Sequence, residues 1–213
     1  MKLQTAIYLT CLFFCINQLN AQDSGFSQQI KLGLMAGYNN ATAKDISSNN
    51  FDFSNVDAFY IGGSVELHLV KRFSLESALL ISQKGFEVIS NAMETNSYKM
   101  DYLSLQLQGK LYVTQNIRLI LGSEASLLLT TSADNGNGID PDSFETSDYS
   151  YLLGLEFGFK DKFAINARFN NSFSSLVEFT HTDQSGNPIG DTPLKNRVFM
   201  LGATFYPFRF EMF

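Results

Sequence analysis

Residues 98–131 read YKMDYLSLQLQGKLYVTQNIRLILGSEASLLLTT, and their rhythm decides the fold. From Leu103 every second residue is apolar or small: Leu103, Leu105, Leu107, Gly109, Leu111 and Val113, with Ser104, Gln106, Gln108, Lys110 and Tyr112 between them. After a turn at Thr114-Gln115-Asn116 the pattern resumes. Ile117, Leu119, Leu121, Ser123, Ala125, Leu127 and Leu129 share one face; Arg118, Gly122, Glu124 and Ser126 take the other. A period of two places alternate side chains on opposite faces of a strand. Each strand exceeds the roughly 9–11 residues that cross a bilayer at a tilt of about 45°. Both also outlast the usual soluble strand of about 5–6 residues. The stretch therefore predicts a membrane-spanning hairpin, apolar toward lipid and polar toward a lumen.

The same alternation recurs on both sides of this hairpin. Ile30 to Tyr38 and Phe59 to Leu69 are candidate strands, separated by the polar segment NNATAKDISSNNFDFSNVD (39–57), which reads as an exposed loop. A tight turn at Val70-Lys71-Arg72 leads into a third strand from Phe73, which extends toward Val88. Tyr149 to Phe159, Phe163 to Phe173 and Val198 to Phe210 complete the set. Long polar connections centred near Asn49, Thr95, Asn137 and Gly186 alternate with short turns near Lys71, Gln115 and Asp161. Long outer loops and short periplasmic turns are the asymmetry of bacterial barrels. The expected fold is all-β: an eight-stranded antiparallel up-and-down transmembrane β-barrel, closed because an open edge in lipid would strand backbone polar groups.

Composition agrees with such a wall. Charged residues make up 17% of the 213 and aromatics 14%, with no Trp. The mean hydropathy of −0.04 is what alternation produces, since each strand averages to neutrality. The longest apolar run, Ala6 to Ile16, is too short for a membrane helix. It follows Lys2 and precedes Leu19-Asn20-Ala21, so residues 1–21 read as a secretory signal peptide and 22–213 as the barrel domain. Cys11 and Cys15 both fall inside that peptide, leaving the mature chain without thiol chemistry. Its removal takes the bases from 15 to 14 against 21 acids, a net charge of −7, which excludes nucleic acid as an expected partner.

Four strings carry a family likeness: FSLESALLISQKG, YLSLQLQGKLYVTQNIRLILGSEASLLL, YLLGLEFGFKDKFAINARFNNSF and KNRVFMLGATFYPF. Together they resemble the PorT-like outer-membrane β-barrels over about Ile30 to Phe210, with SQKG (82–85) and KNRVFMLG (195–202) the most family-like. The resemblance implies a small, OmpA-like barrel in the cell outer membrane, with outer-membrane lipid around it and envelope or secretion-system proteins as partners. It implies no catalytic residue and no cofactor.

The residues themselves point to a filled lumen. In the strand cores the apolar parity carries no Asp, Glu, Lys or Arg. The opposite parity carries Lys31, Glu66, Glu76, Lys110, Arg118, Glu124, Glu156 and Arg168, four acids and four bases. Most lie near a short turn, so the expectation is a structural charge network in the lower half of the barrel, with Arg168 neutralising a carboxylate. Isolated charges there would each face a desolvation cost of several kcal/mol. Other readings are weaker. His68 and His181 are the two histidines, and hydrolytic catalysis would need a nucleophile within about 2.6–3.2 Å of one of them. Asp134, Asn137, Asp140, Asp142 and Glu145 form an acidic loop, but Gly136 and Gly138 occupy the third and fifth places of a calcium pattern. A narrow solute channel is the alternative function, disfavoured because about eight strands leave an interior that side chains fill. Aromatics gather at strand ends: Tyr38, Phe59, Tyr60, Tyr102, Tyr149 and Tyr151 outside, and Phe73, Tyr112, Phe159, Phe163, Phe205 and Phe208 toward the periplasm. They read as interfacial girdles, and the terminal Phe213 as an aromatic assembly signal. A non-enzymatic membrane scaffold is the expected function.

Overall fold

A computed structural model describes residues 28–45, 52–89, 95–133, 145–159, 162–182 and 188–211. The expected signal peptide lies outside these residues, as do Asn49, Asp161, Gly186, Phe213 and the acidic loop from 134 to 144. Among the described residues ten strands form: β1 Gln29–Asp45, β2 Asp52–Ser54, β3 Val56–Val70, β4 Phe73–Ile89, β5 Thr95–Tyr112, β6 Ile117–Ala133, β7 Ser147–Phe159, β8 Phe163–Ser172, β9 Val177–Thr182 and β10 Pro188–Glu211. The sheet order β1-β3-β4-β5-β6-β7-β8-β10 closes by pairing β10 with β1. Every neighbouring pair is antiparallel. The two short strands prolong existing ones: β2 precedes β3 along β4, and β9 follows β8 along β10. The ring therefore has eight staves.

Closure carries one irregularity at its seam. Leu32 pairs with Phe208 and Leu34 with Phe205, so β10 holds one residue more than β1 there. Pro207 sits in this bulge, where its missing N–H costs no ladder bond. Tyr206 keeps the inward parity of Thr204, and the extra residue then lets Phe208 stay exposed like Phe205.

The strands run well past the expected boundaries. β5 has 18 residues, about 60 Å of chain at ~3.4 Å per residue. Tilted at about 45° it rises ~40 Å, against an apolar band of about 25 Å. The segment expected as a loop at 39–57 contains the upper parts of β1 and β3, β9 and the start of β10 flank the connection expected around Gly186, and Thr95, expected at a loop centre, opens β5. The reason is a reversal of polarity along each stave. Within the band, Leu79, Ile81, Leu105 and Leu121 are exposed while Glu76 and Gln106 are buried inside. Higher up the alternation persists with the opposite chemistry. Ala43, Phe86, Tyr98, Met100, Tyr102, Leu176 and Leu194 pack together inside the ring, and Glu87, Lys99, Asp101 and Lys195 take outward positions. Above lipid the outer face is wet, so this collar has the polar-out, apolar-in pattern of a water-soluble barrel.

Lys71-Arg72 and residues 113–116 make short connections at the end where Gln29 and Glu211 pair, and there β7 also ends at Phe159 and β8 begins at Phe163. An epitope inserted at Asn137 should therefore be reachable by antibody on whole cells, while one at Asp161 should need permeabilisation. Reversed labelling would invert the topology.

Candidate functional site

The inside of the barrel is organised around two lysines at different heights. The lower one is Lys110, which projects from β5 across the ring. Its Nζ lies 3.0 Å from Glu66 Oε2, 2.8 Å from Glu76 Oε2 and 3.0 Å from Glu156 Oε2. It also donates to the Tyr206 hydroxyl at 3.1 Å. Strand pairing dictates the grouping. Glu66 stands opposite Glu76 on β4 and opposite Lys31 on β1, and Arg118 stands opposite Glu156 on β7. Two like charges facing each other across a ladder repel, and the Lys110 ammonium between them removes that penalty. Further donors saturate the carboxylates. Gln108 donates to Glu76, Tyr206 to Glu66 at 2.8 Å and Tyr112 to Glu66 at 3.0 Å, while Arg118 donates to Glu156. Lys31 and Arg118 also lie over the rings of Tyr206 and Tyr112, at 5.6 and 4.7 Å. His68 closes this layer on the periplasmic side, its Nδ1 3.3 Å from Glu66 Oε1 and its ring against Tyr112.

The upper centre is Lys84. Its Nζ donates to Glu124 Oε1 at 2.7 Å, Asp148 Oδ2 at 3.1 Å and Ser126 Oγ at 3.3 Å, and it lies 4.9 Å from the centre of the Tyr102 ring. Asn196 and Ser174 donate to the two oxygens of Asp148, each at 3.0 Å. Between the two centres lies an apolar waist of Met35, Ala41, Tyr60, Ala78, Leu80, Val198 and Met200. Arg168 crosses the edge of this waist. Its Nη2 donates to the Tyr60 hydroxyl at 2.8 Å and its Nη1 to Gln106 Oε1. Gln106 in turn donates to Glu124 Oε2 at 2.5 Å. Arg168 thus balances the upper carboxylates through Gln106, whereas the sequence led us to expect a direct carboxylate partner.

Tyr60 fits only because two glycines leave room. Gly37 and Gly202 pair across the β1–β10 seam. A Cβ built at Gly37 would stand 2.5 Å from the Tyr60 ring, and one at Gly202 would stand 1.9 Å from its hydroxyl. The phenol therefore lies flat on bare backbone and presents its oxygen to Arg168.

All eight expected lumen residues lie buried within the ring. Lys31, Glu66, Glu76, Lys110, Arg118 and Glu156 gather in the lower layer, while Glu124 and Arg168 stand higher, outside the expected lower belt. Sequence reasoning missed Lys84 and Asp148, which among the described residues bring the buried ions to five acids and five bases. Parity would have found both: Lys84 lies eight residues beyond Glu76, and Asp148 eight before Glu156, so each shares that glutamate's face. Tyr60 and Tyr102, expected in the outer girdle, are buried at 2% and 0% exposure, and Tyr112 from the expected inner girdle turns toward Glu66. Their inward parity outweighs their position at strand ends. Phe59, Tyr149, Tyr151, Phe159, Phe163 and Phe208 do face outward. Among the described residues no group of three or more His, Cys, Asp or Glu is placed to hold a metal ion. His181 lies on β9 opposite Gly190.

A family described as outer membrane protein beta-barrel domain matches residues 20–178. Among solved structures, Neisserial surface protein A is similar at a TM-score of 0.53 with 12% identity, covering 82% of this chain and 96% of that one. Ail, the attachment invasion locus protein of Yersinia pestis, is similar at 0.47 with 15% identity, over 87% and 100% of the two chains. The E. coli outer membrane protein W is similar at 0.40 with 15% identity, over 83% and 97%. No curated protein matches the sequence. At 12% identity the likeness to Neisserial surface protein A speaks for the fold alone, whereas the family match spans well over half of the sequence. A closed ring of eight staves, apolar toward lipid and filled with balanced charge, completes the assignment: the chain belongs to the outer membrane protein beta-barrel family and resides in the bacterial outer membrane.

Proposed function

We propose that this protein is a non-enzymatic, non-conducting barrel that anchors an extracellular β-collar in the outer membrane for another envelope assembly. The observation that carries the proposal is the filled lumen. Two ion clusters, the waist of Met35, Leu80 and Met200, and the upper cluster around Phe86, Tyr98 and Met100 occupy successive heights of one narrow bore. A hydrated ion entering it would meet an apolar constriction twice and would have to displace paired charges in between. The PorT-like resemblance supports a secretion or surface-assembly machine as the partner. Purified protein in planar bilayers should show no stepwise conductance at either polarity. Regular single-channel steps that vanish on Leu80→Trp would overturn this reading in favour of a narrow solute channel.

A further inference from the structure

On the outer wall, charge is sorted by height, and differently from stave to stave. Along β10 the outward positions climb from Leu201 and Phe199, both exposed, to Arg197 and then Lys195. Lys44 of β1 stands opposite Lys195 in the register. The acids of this side stand farther from the membrane, Glu178 opposite Pro193 and Asp191 opposite Thr180. On β3, next to β1, and on β5, across the barrel, the first outward charges above the apolar band are acids already engaged within the protein. Asp57 accepts from Tyr38 and Asn40, and Asp101 accepts from Gln83 at 2.9 Å.

Arg197 and Lys195 are not compensated in this way. Among the described residues neither meets a carboxylate. The Arg197 guanidinium lies over the Phe169 ring at 5.7 Å, and its Nε is buried without a hydrogen-bond partner. Neighbouring cations on one face with no anion between them repel, unless a ligand supplies the negative charge. Below and to one side, the wall holds an apolar groove of about 1140 Å³ that crosses from Leu75 on β4 over Leu107, Leu121 and Leu153 and ends at Phe169 and Phe199. Phe169 belongs to both features: it carries Arg197 on its face and closes the upper end of the groove. A cationic border over an apolar trough, just above the exposed apolar residues Phe199 and Leu201, matches an anionic amphiphile. Arginine binds phosphate oxygens through paired N–H donors, and lysine adds a point charge.

We propose that the β8–β10 face binds a phosphate-bearing lipid of the outer leaflet, its phosphate held by Arg197 and Lys195 and an acyl chain lying in the groove. A soluble phosphate would have no use for the groove, and a neutral lipid none for the cations. The test reconstitutes the barrel into nanodiscs of equal phosphatidylcholine and phosphatidylglycerol and reads retained lipid by native mass spectrometry. The wild type should keep phosphatidylglycerol in preference to phosphatidylcholine. Arg197→Gln and Lys195→Gln should each lower that preference about fivefold, while Lys99→Gln on β5 should leave it unchanged. Leu153→Trp, which fills the groove, should reduce retention of both lipids. All four positions face outward, and heat-modifiable gel migration verifies that each variant is folded. Equal retention of the two lipids by the wild type overturns the proposal. So does a loss on Lys99→Gln as large as that on Arg197→Gln, because the binding would then be general surface charge.

Discussion

Replacing Lys110 with methionine is expected to cost the barrel about 3–5 kcal/mol, the penalty for leaving buried charge uncompensated. The ammonium is the shared partner of Glu66, Glu76 and Glu156. Without it, Glu156 keeps Arg118 and Glu66 keeps the hydroxyls of Tyr112 and Tyr206. Glu76 keeps mainly Gln108, and it still faces Glu66 across the β3–β4 ladder. The loss should therefore fall chiefly on that pair, and Glu76→Gln added to Lys110→Met should recover much of it. Arg168→Ala, by contrast, removes hydrogen bonds to two neutral groups, Gln106 and Tyr60. It should cost less than Lys110→Met. Reversible urea unfolding in liposomes measures all three variants. A Lys110→Met barrel as stable as the wild type would mean that the carboxylates are not held as charged groups around this lysine.

Leu121→Arg is expected to cost about 2–4 kcal/mol through a different mechanism, exposure of a charge to hydrocarbon near mid-membrane. Leu121 is 65% exposed on the outward face of β6, between Gly109 of β5 and Leu153 of β7. Nothing in the wall can pair with an arginine there. Leu129 occupies the same face eight residues higher, near the outer border, and is 58% exposed. Leu129→Arg should cost only about 0–1 kcal/mol, because its guanidinium reaches the headgroups. The same unfolding assay reads both. Equal costs at the two positions would show that the hydrocarbon band has been placed at the wrong height.

The staves within lipid were legible because their side chains alternate between two unlike solvents, hydrocarbon and a polar lumen. From Leu103 to Leu129 the in/out assignment follows directly from parity. The collar was not legible, for the inverse reason. Asn40 and Thr42 face outward there while Ala41 and Ala43 are buried, so a search for outward apolar residues takes a strand for a loop. Lys84 escaped notice at the height where this reversal begins. Tyr60 and Tyr102 were misplaced because tyrosine suits a headgroup border and a polar lumen equally well. Arg168 found Gln106 because β8 and β5 face each other across the bore. Pairing rules constrain neighbours in the ring, and Arg168 and Gln106 are not neighbours.

The reversal of polarity also fixes how the wall meets its bilayer. A transmembrane helix that is too long for its membrane can tilt or kink, but a closed ring of eight paired strands has little such freedom. Its upper border is written in side chains on rigid staves: Ile81 below Gln83 on β4, and Leu103 below Asp101 on β5. Raising the hydrocarbon surface by a few ångströms would wet those polar groups with lipid, and lowering it would expose leucines to water. The adjustment therefore falls on the lipids, which stretch or compress beside the wall at fractions of a kcal/mol per Å of mismatch. The barrel acts as a gauge of bilayer thickness, favouring the thin outer membrane and the regions of it that already match its belt.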